Sequence, residues 1–283
     1  MFGLSRQVYY RRIKSSTRKK ALAQQVVDLV LPIRSRMPRI GTRKLYYMLQ
    51  SKLDCMGIGR DKLFTIMKAN HLKIYPERSY RVTTNSHHRF HKHGDLVNGM
   101  CINRPEQVWV SDITYVGGRS MHHYMALVTD AYSKKIVGYD LSNSLSLQGV
   151  LRALKMAIKS RAHLGSPLIH HSDRGLQYCS NEYQSLLFKN QIRCSMTTDS
   201  DPYSNAVAER VNGIIKNEFN LEKYKVDLNT LQKIVAQTIK IYNNERPHLS
   251  CSFLTPDQMH RQSKIVLKTY KNTNGSRDIP AAV

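Results

Sequence analysis

Between residues 107 and 221 the chain alternates short runs of β-branched and aromatic residues with longer amphipathic ones, an order that admits few folds. Gln107 to Val116, His123 to Thr129 and Lys135 to Leu141 read as three strands, separated by Gly117-Gly118 and by Ala131-Tyr132-Ser133, which suits an antiparallel meander. A helix follows over about Ser146 to His163. Then come a short buried strand over Pro167 to His171, a helix over Glu182 to Asn190, a strand over Ile192 to Thr197 and a long helix over Ser204 to Leu221. Three strands, helix, strand, helix, strand, helix is an α/β architecture. A further helix from Leu228 to Asn243 precedes Arg246-Pro247-His248 and Thr255-Pro256.

Three of these runs each carry one carboxylate. Asp112 sits in Val108-Trp109-Val110-Ser111-Asp112-Ile113-Thr114-Tyr115-Val116, Asp173 in Leu168-Ile169-His170-His171-Ser172-Asp173-Arg174-Gly175, and Glu209 in Asn205-Ala206-Val207-Ala208-Glu209-Arg210. Asp112 lies in the central strand and Asp173 follows the end of a later one, so both project at one edge of the sheet. On the long helix Asn205, Glu209, Asn212 or Gly213, and Lys216 recur on one face, which brings Glu209 to the two Asp side chains and Lys216 to a phosphate. Glu218 is turned about 180° from Glu209 at about 100° per residue and reads as a solvated end-of-helix charge. Carboxylates in such places are costly to desolvate unless a cation neutralises them. Oxygen ligands without paired His or Cys favour Mg²⁺, with Mn²⁺ as a substitute, over zinc. Two such ions about 3.5–4 Å apart would activate a water or a 3′-hydroxyl on one side of a phosphodiester and stabilise the leaving oxygen on the other. A lone Asp is more often a surface charge, but three in strand, strand and helix contexts point to in-line phosphoryl transfer.

The charge balance names the polyanion. The chain has 44 Lys+Arg against 20 Asp+Glu, net +24, and residues 1–100 hold 21 basic and 5 acidic side chains, net +16. That favours nucleic acid over a membrane surface, because no basic amphipathic helix with an aromatic apolar face stands out. No apolar run of membrane-spanning length and no signal peptide is present, so the expected location is the cytoplasm. Five scattered cysteines without Cys-x-x-Cys spacing suit reduced thiols. In the basic third, residues 17–36 read as an amphipathic helix that Pro32 ends or kinks. A second helix starts at the cap Thr42 and carries Leu45, Tyr46, Leu49 and Leu53. Gly57 and Gly59 then turn the chain into a third, which runs from Asp61 to near Asn70. Helix, glycine turn, helix is the helix-turn-helix pattern, with a plain packing domain as its alternative. Arg43 and Lys44 at one helix start, and Arg60 and Lys62 at the next, are the candidate phosphate contacts. The run His87-His88-Arg89-Phe90-His91-Lys92-His93 lacks a paired four-ligand spacing and reads as a solvated basic linker without structural zinc.

Trp109-Val110-Ser111-Asp112-Ile113-Thr114-Tyr115, His171-Ser172-Asp173-Arg174-Gly175-Leu176-Gln177-Tyr178, Asn205-Ala206-Val207-Ala208-Glu209-Arg210-Val211-Asn212-Gly213 and Tyr242-Asn243 with Arg246-Pro247-His248 closely resemble the integrase-core transposases. In particular the chain is similar to the second-frame product, OrfB, of the insertion-sequence-three type; Gly41-Thr42-Arg43-Lys44-Leu45 and the helices after it resemble the family's small helical domain. The resemblance implies an RNase H-like core with a mixed sheet, preceded by a small all-α helix-turn-helix-like domain. It implies an Asp-Asp-Glu triad of Asp112, Asp173 and Glu209 that binds two Mg²⁺ ions and both cuts and joins strands at the element's inverted-repeat ends. It also implies DNA ends and target DNA as partners, a homo-oligomer on DNA, and an upstream-frame product or fusion that supplies further DNA reading. Ser204, where many members carry Asp, is a departure outside the triad. The expected division is a helical DNA-binding domain (1–74), a basic linker (75–100), a catalytic core with its C-terminal helix (101–262) and a basic tail (263–283). Two rivals stand beside the transposase reading: a non-enzymatic DNA-binding regulator, and an RNase H-like nuclease that hydrolyses without joining.

Overall fold

The computed structural model describes residues 5–75, 93–117, 123–197 and 205–265. The meander is formed by β1 (Val108–Val116), β2 (His123–Asp130) and β3 (Ile136–Ser142), paired antiparallel. On the other side of β1, β4 (Leu168–Ser172) and β5 (Ile192–Met196) add in parallel, giving the order β3-β2-β1-β4-β5. This mixed five-stranded sheet is the RNase H-like arrangement.

Strand alternation assigns the two faces. Trp109, Ala126, Val128 and Val137 pack beneath α5 (Leu147–Lys159) and α7 (Asn181–Lys189). Met125, Leu127 and Leu141 pack with Val211 and Ile215 of α8 (Ala206–Glu218) and Val235 and Ile239 of α9 (Leu228–Asn244). Val211 and Ile215 are fully buried and contribute about 2 kcal/mol each, which fixes the roll of α8 about its axis. Helix α5 comes so close to β3 that a Cβ on Gly138 would sit 2.1 Å from the Ala153 carbonyl oxygen, so only glycine fits there.

The helical unit differs from its expected form at three points. Helix α1 (Arg6–Arg36) starts eleven residues earlier than expected and runs through Pro32, which neither ends nor breaks it. Proline costs one backbone bond there, and the buried Val30, Ile33 and Met37 hold the chain on both sides of it. The single helix expected from Thr42 is two, α2 (Thr42–Met48) and α3 (Gln50–Cys55), broken at Leu49. Gly41 rather than Thr42 is the cap residue, and Thr42 is buried as the first helical residue. Gly57 (φ +63°) makes the turn toward α4 (Arg60–Ala69), close to its expected position.

In the core, α5 stops at Lys159 rather than His163 because the amides of Ala162 and His163 are taken by the Glu106 carboxylate at 2.7 Å each. Helix α8 ends at Glu218 and gives way to a 3₁₀ turn over Leu221–Lys223. Two short helices were not expected, α6 (Leu176–Cys179) and α10 (Pro256–His260). The second carries a capping box, with Thr255 and Gln258 exchanging bonds and Pro256 in the first turn.

The helical unit packs directly on the core. Val26, Val30, Leu45 and Leu63 belong to one continuous apolar cluster with Phe219, Leu221 and Tyr242. Arg39 N–H donates to the Glu218 carbonyl at 2.9 Å, and Tyr47 stacks on Phe253 with centroids 4.7 Å apart. Of the histidine-rich run only His93 is among the described residues; His87, His88 and His91 lie outside them, as does the tail from residue 266. Among the described residues no helix is long and apolar enough to cross a membrane.

Candidate active site

Ser111 and Ser172 are partners in the parallel ladder of β1 and β4, so the next residue on each strand brings Asp112 and Asp173 side by side at one edge. Val110 and Val116, on the same side of β1 as Asp112, pack toward the α8 side of the sheet, and α8 crosses there with Ala208, Val211, Asn212 and Ile215 buried. Both Asp112 oxygens are engaged. Oδ1 accepts from the Ile113 amide at 2.8 Å, and Oδ2 accepts from Asn212 Nδ2 at 2.7 Å. Asn205, two turns before Asn212 on the same face, donates to the Ser111 carbonyl at 3.1 Å. Asp173 Oδ1 accepts from the Gly175 amide at 3.0 Å, closing the turn out of β4.

The electrostatics join the three acids. Burial pushes the Asp112 carboxyl up, the Asp173 charge pushes it further and Glu209 adds to the shift, to about 7. Glu209 stands on the exposed side of α8 and is itself raised by partial burial. Like charges gathered in this way are what a bound cation would neutralise. Among the described residues no three His, Cys, Asp or Glu side chains are grouped closely enough to hold a metal as they stand. The donor set nevertheless fits a hard divalent cation. Its charges are all carboxylate, and the amide oxygens of Asn205 and Asn212 are buried beside Asp112 without a hydrogen-bond partner. The helical spacing placed both asparagines on this face, but their hold on Ser111 and Asp112 was not foreseen. The signal was a pair of amides seven residues apart on an otherwise apolar stripe.

His170 and His171 are packing residues in β4. His170 Nε2 lies 2.7 Å from Ser111 Oγ and 2.9 Å from Tyr183 OH, and complete burial lowers its pKa to about 3. His171 Nδ1 lies 2.9 Å from Ser195 Oγ. Neither reaches the surface.

The five candidate DNA contacts divide into two groups. Arg43 and Lys62 are exposed; Arg60 is exposed and pairs with Asp61 at 2.9 Å. Lys44 instead meets Glu218 Oε1 at 2.6 Å, and Lys216 meets Glu222 at 3.2 Å. Glu218 overturns the expectation of a solvated charge. It accepts from Arg246 Nε at 2.7 Å and Nη2 at 2.9 Å as well as from Lys44, so burial, which would raise its pKa, is outweighed and the group is lowered.

A second acid cluster lies at the other end of the β1 and β4 ladder, and nothing in the sequence announced it. Glu106 and Asp130 are both buried. His260 of α10 lies 3.7 Å from each, and its Nδ1 is 2.9 Å from Ser133 Oγ. Burial alone would lower the His260 pKa, but the two carboxylates outweigh it and hold it at about 9. Burial would raise Glu106, but His260 and the amides of Ala162 and His163 bring it down to about 2.

The Integrase core domain family matches residues 102–202 and, through a second model of the same description, residues 190–256. The Shigella sonnei "Insertion element IS600 uncharacterized 31 kDa protein" is 33% identical over 265 residues, covering 90% of this chain and 94% of that protein. The Escherichia coli K12 "Transposase InsF for insertion sequence IS3fB" is 32% identical over 160 residues, 56% of this chain and 55% of its own length. A simian T-cell lymphotropic virus intasome in complex with PP2A regulatory subunit B56 gamma shares the fold, at 18% identity and a TM-score of 0.50, covering 84% of this chain and 81% of that one. The fold and the acid site thus define an integrase-core enzyme of the RNase H-like class. Within that class, this chain belongs to the DDE transposases of the insertion-sequence-three type.

Proposed function

We propose that the chain is a DNA transposase that cleaves and joins strands at the ends of an insertion sequence. The observation that carries this reading is the side-by-side placement of Asp112 and Asp173, with the Glu209 charge reaching Asp112 from α8. Asp112, Asp173 and Glu209 would hold Mg²⁺, with Mn²⁺ as a substitute and two ions per site. When bound, these supply Lewis-acid activation of a water or 3′-hydroxyl and charge stabilisation at the leaving oxygen. The chain's own residues do the positioning. Asn212 and the Ile113 amide fix the Asp112 carboxylate, Asn205 ties α8 to the strand beside it, and the packing of Val211 and Ile215 sets where Glu209 stands.

Arg43, Arg60 and Lys62 on the helical unit are the phosphate contacts of this reading. Lys44 and Lys216 can join them only by leaving Glu218 and Glu222. The division into a DNA-binding unit (1–74), linker (75–100), core (101–262) and tail (263–283) belongs to the same proposal. So do assembly of several copies on DNA, an upstream-frame partner and a location at the nucleoid. The test is incubation with linear end DNA, a target plasmid and Mg²⁺. Joined products support the transposase, hydrolysis alone supports an RNase H-like nuclease, and binding without either supports a regulator.

A further inference from the structure

Helix α1 is 31 residues long, yet its buried residues, Val26, Val30 and Ile33, all lie in its second half. Residues 9–20 are exposed without exception. Between Arg6 and Lys20 the helix carries seven basic side chains, Arg6, Arg11, Arg12, Lys14, Arg18, Lys19 and Lys20, and the first acidic residue of the chain is Asp28. At 1.5 Å per residue this segment extends about 22 Å.

The face that packs cannot continue into this segment. Positions 18 residues apart share a direction on a helix, because 18 residues make five whole turns. Val26, Val30 and Ile33 therefore repeat one face as Val8, Arg12 and Ser15, with Lys19 between them. The stripe that meets a protein core in one half carries charge and hydroxyl in the other, which disfavours a second protein surface as the occupant. A membrane surface fits no better, since cations stand on every side and Tyr9, Tyr10 and Ile13 form no continuous apolar face. Arg11, Lys14 and Arg18 form one ridge at i, i+3 and i+7. Lys20 lies about 150° around the helix from the centre of that ridge and Arg6 about 115°, on the other flank.

Like charges at i, i+3 and i, i+4 repel along the ridge, and the first turn holds no acid to offset the positive end of the helix dipole. A helix of this composition is stabilised by anions along both flanks. A groove of duplex DNA, with a phosphate backbone on each side and room for an α-helix, supplies them.

We infer that the exposed half of α1, residues 6–20, is a DNA-gripping arm that lies along a duplex groove and contacts phosphates with Arg11, Lys14 and Arg18 on one flank and Arg6 and Lys20 on the other. The inference rests on the transposase reading only for its partner being DNA. The arm holds register and affinity rather than reading sequence.

The experiment compares the full chain with Arg11→Gln/Lys14→Gln/Arg18→Gln on a labelled 30-base-pair duplex, by fluorescence anisotropy from 50 to 200 mM KCl. The slope of log affinity against log salt should shrink by about 2–3, at about 0.9 for each phosphate that is no longer neutralised, on end DNA and unrelated DNA alike. Thermal stability should not fall, because these side chains pack on nothing. Unchanged affinity and slope would overturn the arm. So would a variant whose only change is in the sedimentation of DNA-free protein, which assigns the helix to a second copy, or in binding to phosphatidylglycerol vesicles, which assigns it to a membrane. An Asp112→Asn protein run alongside keeps the two readings apart. Strand transfer retained by Asp112→Asn sinks the catalytic assignment and leaves the arm standing, whereas a flat salt response of the arm variant sinks the arm alone.

Discussion

Two acid clusters flank the same short ladder of β1 and β4, and the protein treats them in opposite ways. At the Glu106 end each buried carboxylate has partners. Asp130 accepts from the Glu106 amide at 2.7 Å and from Ser133 N and Oγ at 2.7 Å each, and His260 stands between the two acids. At the Asp112 end the acids gather like charge, with only amide donors on Asp112, and the pKa values of Asp112 and Glu209 move up instead of down. The first arrangement is complete within the chain and stabilises it. The second gathers like charge that a bound cation would offset, which suits the proposed chemistry. Helix α8 repeats the contrast along its own length, with Glu209 exposed at one end and Glu218 held by two cations at the other.

The largest expected effect separates the ends of α8. Glu209→Gln keeps the shape and removes a charge, so cleavage and joining with linear end DNA should fall by about three orders of magnitude or more while DNA binding persists. Near-normal Mg²⁺-dependent strand transfer by that protein would end the Glu209 assignment.

Glu218→Gln should act through stability. It leaves Arg246 and Lys44 without their carboxylate where the Arg246 side chain is only 3% exposed, and breaking such a pair costs about 3–5 kcal/mol. Urea unfolding should show the loss, and activity per folded molecule should stay close to normal. A stable Glu218→Gln protein without strand transfer would move the third acid from Glu209 to Glu218 and collapse the contrast.

The paired cluster predicts a pH dependence. The His260 pKa is raised in the folded chain to about 9, so its contribution is complete below its unfolded value near 6.5 and disappears as pH rises through 9. Glu106 is lowered to about 2, so its contribution is present above its unfolded value near 4.5 and lost only as pH falls toward 2. His260→Gln should therefore cost up to roughly 3 kcal/mol at pH 6 and almost nothing at pH 10. Thermal unfolding of both proteins at the two pH values gives the difference; an equal loss at both would show that His260 contributes packing rather than charge.

These contrasts also mark what the sequence could tell. The strands were legible to within a residue or two, because β1 to β5 alternate apolar residues between turn signals and both sheet faces are covered. Asp112 was legible as a residue of the central strand and Asp173 as the residue just past the end of a later one. Glu218 was not, because its partners stand 174 residues upstream and 28 downstream, and no local pattern encodes a meeting at that distance. The same holds for His260 with Glu106. As a helix end, Pro32 misled for the opposite reason, since a local rule was overridden by the burial of its neighbours.

The smallest expected effects concern Arg43 and Lys44, which are adjacent in sequence and belong to different regions. Arg43 is exposed at the start of α2, near free backbone amides, and has no ion pair among the described residues. Lys44 is one-fifth exposed and is tied to Glu218, so its ammonium joins the helical unit to the end of the helix that carries Glu209. Changing both to alanine together, as a test of DNA binding, would mix the removal of a phosphate ligand with the removal of a structural pair. Taken singly, Arg43→Ala should weaken duplex binding a few-fold, lower the salt slope by about 1 and leave the Tm unchanged. Lys44→Ala should lower stability by about 1–2 kcal/mol, less than Glu218→Gln because Arg246 still holds the carboxylate with two bonds. Anisotropy titrations and thermal melts on the two single variants decide the matter. If Lys44→Ala instead lowers the salt slope and leaves the Tm alone, Lys44 leaves Glu218 for a phosphate when DNA binds, and the paired end of α8 is part of the DNA-binding surface.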